Sequence, residues 1–238
     1  MSNQTTKTSP LHLARTAGWL YLLMVPFAIF GVMWVPSIMF VPGDAAATAN
    51  NIMASEGLFR LGIVSALIVQ VLHIFVVLAL YRLLKPVSKN WASLLVIFGL
   101  VGVPISMLSE LNQYAALALL SGADYLATFT ADQLNTQVTL FLGLREQGLI
   151  IAWIFWGLWL YPMGYLVFKS GYIPRILGIL LMIGCVGYQI DFLTTVLFPN
   201  SAVLISGVTS IGEIFLPLWL VIKGVDVEQW DKWAAKSA

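Results

Sequence analysis

Three carboxylic acids, Glu110, Asp191 and Glu213, interrupt otherwise apolar sequence. An ionisable group inside a bilayer is costly to hold, usually faces protein or water, and is a candidate functional residue by default. Around Glu213, the residues Ser206, Thr209, Ser210 and Pro217 recur at intervals of three and four, which on a helix makes one polar stripe. Pro217 has no N–H to offer the Glu213 carbonyl, so the helix is weakened at the acid itself. Asp191 repeats the arrangement with Gly184, Gly187 and Tyr188, small residues among them permitting close helix approach. Gln70 and His73 share a face with Ala66, and Glu110 stands with Ser106, Gln113 and Tyr114 just after Pro104. The candidate ion- or substrate-binding residues are therefore Asp191, Glu213, Glu110, His73 and Gln70. Against three acids the available cations are His73 inside and Arg145 beside Glu146. Such a shortage calls for proton sharing, a bound cation, or carboxyls kept neutral by desolvation.

Each of these residues also has a structural reading. A membrane carboxyl can stay protonated and tie helices together by hydrogen bonds, and a lone His73 can be a satisfied core histidine. Arg145 and Glu146 are neighbours in sequence and do not face each other on a helix, so they read as an interfacial pair or headgroup contact. The Trp153, Trp156, Trp159 stripe reads as lipid-facing or core packing rather than a ligand cage. No Gly-x-Ser-x-Gly elbow, His-Glu-x-x-His pair or phosphate-cradling glycine loop occurs, so no catalytic residue is assigned and no cofactor is expected. Carboxylates plus His73 make a poor metal set, and no metal site is assigned.

The elements that must position these groups follow from composition. The 238 residues are 60% hydrophobic and only 10% charged, with mean hydropathy +0.90, too apolar to cover a water-soluble surface. Apolar runs near the length that a hydrocarbon core of about 30 Å demands predict six transmembrane helices. They run from Thr16 to Val35, Leu58 to Leu83, Trp91 to Ser121, Leu149 to Phe168, Pro174 to Phe198 and Ala202 to Ile222. The fold class is all-α, a polytopic membrane protein forming a single domain over residues 1–238. Lys7, Arg15, Arg82, Lys85, Lys89, Lys169, Arg175, Lys223, Lys232 and Lys236 fall on one side, Arg60 and Arg145 on the other, which places both termini in the cytoplasm. Trp19, Tyr21, Tyr81, Trp91, Tyr165, Tyr172 and Trp219 fit an aromatic belt at that boundary. At 1.5 Å per residue, Asp191 lies about 10 Å and Glu213 about 17 Å below the outer ends of their helices.

Two outer loops, Pro42-Gly43-Asp44 to Glu56 and Ser121-Gly122-Ala123-Asp124 to Leu134, each predict a turn followed by a short surface helix. The stretch from Ala131 to Gly148 reads either as such a helix or as an extension of the fourth span. The turn between the last two spans falls on Phe198-Pro199-Asn200-Ser201. Echoes between the inner connections allow a three-hairpin repeat. Val227, Trp230 and Trp233 among charges predict an amphipathic tail on the inner interface. The run from Thr16 to Phe40 exceeds a signal-peptide core and reads as an uncleaved helix. Cys185 is the single cysteine, so no intrachain disulfide forms, and a net charge of +1 gives no basic field for nucleic acid.

Several strings are more specific than hydropathy. They include Arg15-Thr16-Ala17-Gly18, Val41-Pro42-Gly43-Asp44-Ala45 through Asn51, Leu84-Lys85-Pro86-Val87, Leu120-Ser121-Gly122-Ala123-Asp124-Tyr125-Leu126, Ser170-Gly171-Tyr172-Ile173-Pro174-Arg175 and Gly212-Glu213 with Leu218-Trp219-Leu220. From about Leu13 to Trp230 the chain resembles the family catalogued as domain of unknown function 4386. The resemblance implies a bacterial multipass protein of the cytoplasmic membrane and carries no activity with it. Asp191 and Glu213 match the family's pattern, whereas Glu110 does not. The resemblance also implies histidines where this chain has Arg145 and Trp159, so a family chemistry using those imidazoles would be missing.

The expectation is a small transporter or ion- or proton-coupled carrier, its partners being the lipid bilayer and a small cation, proton or lipid ligand. The alternatives are a membrane-embedded enzyme using the same carboxylates on a lipid-like substrate, or a non-catalytic helper packed against another protein.

Overall fold

The computed structural model describes residues 9–199 and 204–237, and among them all regular structure is helical. In chain order the helices are α1 (Pro10–Ala28), α2 (Val35–Met39), α3 (Ala45–Ala54), α4 (Glu56–Leu84), α5 (Lys89–Leu119), α6 (Ala131–Leu158), α7 (Leu160–Ser170), α8 (Arg175–Leu197), α9 (Ser206–Thr209), α10 (Gly212–Ile222) and α11 (Val227–Ser237). A π-helical turn, Ile29–Trp34, joins α1 to α2, giving one helical run over Pro10–Met39. Five such runs are long and apolar enough to cross a membrane, and a sixth is reached only if the bent pair 206–222 and 227–237 counts as one span. Large hydrophobics stand exposed along them, Met33, Leu108, Val208 and Ile222 among the most. Apolar surface on that scale needs lipid to cover it, and it marks a membrane protein.

One open alternative is decided and one span differs from expectation. The stretch 131–148 extends the fourth span, because α6 and α7 make one apolar run over Ala131–Ser170. The sequence held a signal for its start: Thr130 and Gln133 form a reciprocal capping box, the Thr130 N–H reaching Gln133 Oε1 at 2.9 Å and the Gln133 N–H reaching Thr130 Oγ1 at 3.3 Å. The run breaks at Trp159 because Pro162, four residues after Leu158, lacks the N–H that the Leu158 carbonyl requires. The sixth span is discontinuous, α9 and α10 being separated by Ser210 and Ile211, and α10 turns into α11 at 101°. Asn200, Ser201 and Ala202, on which the expected turn and the start of that span fall, lie outside the described residues, as does Lys7.

The chain divides into two compact units, one of residues 1–22, 73–101 and 153–238, the other of residues 23–72 and 102–152. Ten of the twelve Lys and Arg belong to the first unit, with five of the eleven Asp and Glu.

In the second unit α2, α4, α5 and α6 bury Val35, Met39, Phe59, Ile63, Ala116, Leu117 and Val138, with Ile52 of α3. Close approach fixes the pairing of the first span with α4. A methyl added to Gly31 would stand 2.5 Å from the Gly62 carbonyl oxygen and 2.6 Å from the Ala66 nitrogen. The helix α3 is capped by Asp44, which accepts the Ala47 N–H at 2.8 Å, and is tied back by Asn51 to the Met39 carbonyl at 3.3 Å. In the first unit α7 and α8 form a hairpin turned by Gly171, whose φ of +71° suits glycine. There Gly164 and Gly178 meet so closely that a methyl on either would lie 2.5–2.6 Å from the other's carbonyl oxygen.

Candidate functional site

In the first unit the interruption between α9 and α10 sets up the acid site. Asp191, fully buried on α8, accepts the Ile205 N–H at 2.8 Å and the Ser206 N–H at 2.9 Å, one on each carboxylate oxygen. Those N–H groups belong to the start of α9, where a helix has no internal acceptors to offer. Asp191 thus serves as a cap supplied by a neighbouring helix. Thr209 then returns its hydroxyl to the Ile205 carbonyl at 3.2 Å, a local bond that competes with helical continuation. The chain restarts with tight bonds, Glu213 N–H to the Ser210 carbonyl at 2.8 Å and Ile214 N–H to that of Ile211 at 3.1 Å. Pro217 leaves the Glu213 carbonyl without its usual helical donor.

Glu213 therefore stands in the first turn of α10, beside a break and above a proline. Its Oε2 accepts the hydroxyl of Tyr21 on α1 at 2.7 Å, and Tyr188 of α8 is a second phenol beside it. No Lys, Arg or His reaches ion-pair distance of Glu213 among the described residues. Packing around the break is close: a methyl on Gly187 would collide with the Thr209 side chain, and one on Gly212 would lie 2.9 Å from the Leu181 nitrogen. Tyr21 rests on Trp159 with ring centroids 5.9 Å apart, and Trp159 meets His73 edge-on at 4.6 Å. The fully buried Trp159 is core packing, and the buried His73 keeps its Nε2 without a hydrogen-bond partner among the described residues. His73, Trp159, Tyr21 and Glu213 so form a continuous line of contacts, with Asp191 holding the adjoining segment.

The second unit treats its acid differently. Glu110 of α5 and Arg145 of α6, both buried, make a two-pronged ion pair, Arg145 Nε to Oε2 and Nη2 to Oε1 at 2.9 Å each. Gln113, one turn along α5, donates to the same Oε2. Beside the pair, Gly148 of α6 lies against the Ser109 side chain, which brings the two helices close enough for the guanidinium to reach. Arg145 is thus not an interfacial partner of Glu146: it turns inward, and Glu146 is exposed. Gln70 is buried on α4 in this unit.

Sequence reading named Glu213 and Asp191 but missed their partners. Tyr21 read only as a belt aromatic, and its bond to Glu213 spans 192 positions, beyond any helical periodicity. Glu110 and Arg145 are 35 positions apart on separate helices, and no spacing rule links them. Among the described residues no three His, Cys, Asp or Glu side chains assemble into a set that could hold a metal ion.

Long apolar helices enclosing buried carboxylates define a small helical membrane protein. The chain belongs to the family Domain of unknown function (DUF4386), whose family model matches residues 16–224. It is 36% identical over 163 residues to an uncharacterized protein of Archaeoglobus fulgidus, a match covering 68% of this chain and 83% of that relative. No solved structure matches the chain.

Proposed function

We propose that the protein is a proton-coupled carrier of a prokaryotic cytoplasmic membrane, with Glu213 as the group that takes up and returns the proton. The observation that carries this reading is the setting of Glu213: a carboxyl answered by the Tyr21 phenol rather than by a cation, in the first turn of a helix that restarts inside an apolar span. Discontinuous membrane helices are the sites where coupling ions are handled in many carriers, because irregular backbone and a charge can be tolerated there and can change arrangement. The close packing at Gly187 and Gly212 suits a proton better than a larger ion. Asp191 would keep α9 in place, and Glu110, already paired with Arg145, would take no part in proton exchange. His73, beside Trp159, would line the remainder of the path in the first unit. The excess of Lys and Arg on one side supports cytoplasmic termini, with α3 and the 124–126 turn on the outer face.

The test is purified protein in liposomes carrying an internal pH dye, under an imposed gradient. Proton entry above that of empty liposomes is expected for the wild type, with loss in Glu213→Gln at unchanged thermal stability. Wild-type liposomes no leakier than empty ones would sink the proposal.

A further inference from the structure

The C-terminal helix α11 is tied down by a set of bonds that the proposed role of Glu213 does not use. A helix ends with carbonyls that lack internal donors, and those of α4 and α7 are met here by tryptophans of α11. Trp230 donates its indole N–H to the Leu83 carbonyl at 2.9 Å, and Trp233 donates to the Ser170 carbonyl at 2.8 Å. Tyr172, between α7 and α8, places its hydroxyl on the same Leu83 carbonyl at 2.9 Å, while its own carbonyl accepts the Asp226 N–H at 3.1 Å. Burial pushes the Tyr172 phenol up from its ordinary value, so it remains a donor across the physiological range. Asp226 also caps α11, accepting the Gln229 N–H at 3.0 Å. The opposite face, with Glu228, Asp231, Lys232 and Lys236, is exposed.

Only residues 223–226 separate α11 from α10, the helix that carries Glu213. That link is short and shaped: Gly224 sits at φ +70°, a methyl there would lie 2.8 Å from Leu11 of α1, and Val225 is buried. A link of this kind transmits displacement instead of absorbing it. Were α10 to slide or tilt, it would draw the two indoles off the ends of α4 and α7.

We propose that α11 is a latch: its two indole hydrogen bonds hold α10, and with it Glu213, in the position seen here, and their release lets α10 move. The consequence for transport rests on the carrier reading, but the mechanical claim does not. Replacing both tryptophans by phenylalanine, Trp230→Phe with Trp233→Phe, keeps the rings and removes the two donors. Hydrogen exchange followed by mass spectrometry should then show the amides of 227–237 and those of 212–222 exchanging faster together. The increase should be about tenfold or more, since one such bond is worth roughly a factor of five. Faster exchange confined to 227–237 would overturn the latch, and so would no change in either segment. Peptides from 131–152 report whether the variant is intact, and if the pair fails to fold, each single variant should give a smaller increase in both segments. Liposome flux separates the two claims. Coupled exchange without proton flux in the wild type would leave the latch and remove the carrier, whereas flux without coupled exchange would do the reverse.

Discussion

In the second unit Glu110 meets a guanidinium through two parallel bonds and an amide besides; in the first unit Glu213 meets phenols and, among the described residues, no cation. A buried carboxylate with Arg in forked geometry is neutralised in place, and moving either partner strands the other in a medium that solvates it poorly. A carboxyl held by a phenol has no such fixed countercharge, so gaining or losing a proton disturbs fewer bonds. The difference separates an acid suited to holding helices together from one suited to exchange, although both look alike as single acids in apolar runs.

The comparison can be broken most forcefully at Arg145. Arg145→Met leaves Glu110 buried without its partner and should cost about 3–5 kcal/mol in unfolding free energy, with Glu110→Gln added to it restoring most of that loss. Denaturant titration in detergent measures both, and a single variant as stable as wild type would mean that the pair contributes nothing. A smaller loss, about 1–2 kcal/mol, is expected for Asp191→Asn, because one amide oxygen must replace two carboxylate oxygens at the start of α9. Thermal unfolding reads it, and exchange at Ile205 and Ser206 should rise with it. Smallest is Tyr21→Phe, about 1 kcal/mol for a single lost hydrogen bond. In this variant proton entry into liposomes should change more than stability does. A Tyr21→Phe loss as large as that of Arg145→Met would erase the distinction between the two acids.

Much of the architecture was legible beforehand, for physical reasons visible in particular residues. Apolar runs longer than 20 residues located the spans, and the family strings from Arg15 to Leu220 fall within the matched region 16–224 or beside it. The extent of the fourth helix was ambiguous because Asp132, Gln133, Asn135, Arg145 and Glu146 depress its hydropathy, and the Thr130–Gln133 box at its start went unread until the structure showed it. The tail was legible as an amphipathic helix, but its tryptophans go to backbone carbonyls of α4 and α7, and Trp230 is 147 positions from Leu83.

The sequence by itself determined that this is a helical membrane protein, where most of its spans run, and that Asp191 and Glu213 stand in apolar surroundings. Those are local properties, set by hydropathy over one helix length and by the costs of proline and charge. Tertiary structure decided which acid is paired with arginine, which is met by phenols, which serves as a helix cap, and where the sixth span breaks. Each of those outcomes depends on a partner brought from another helix, and helix–helix packing is fixed by close fits such as Gly31 on Gly62 and Gly164 on Gly178, which no single stretch of sequence specifies.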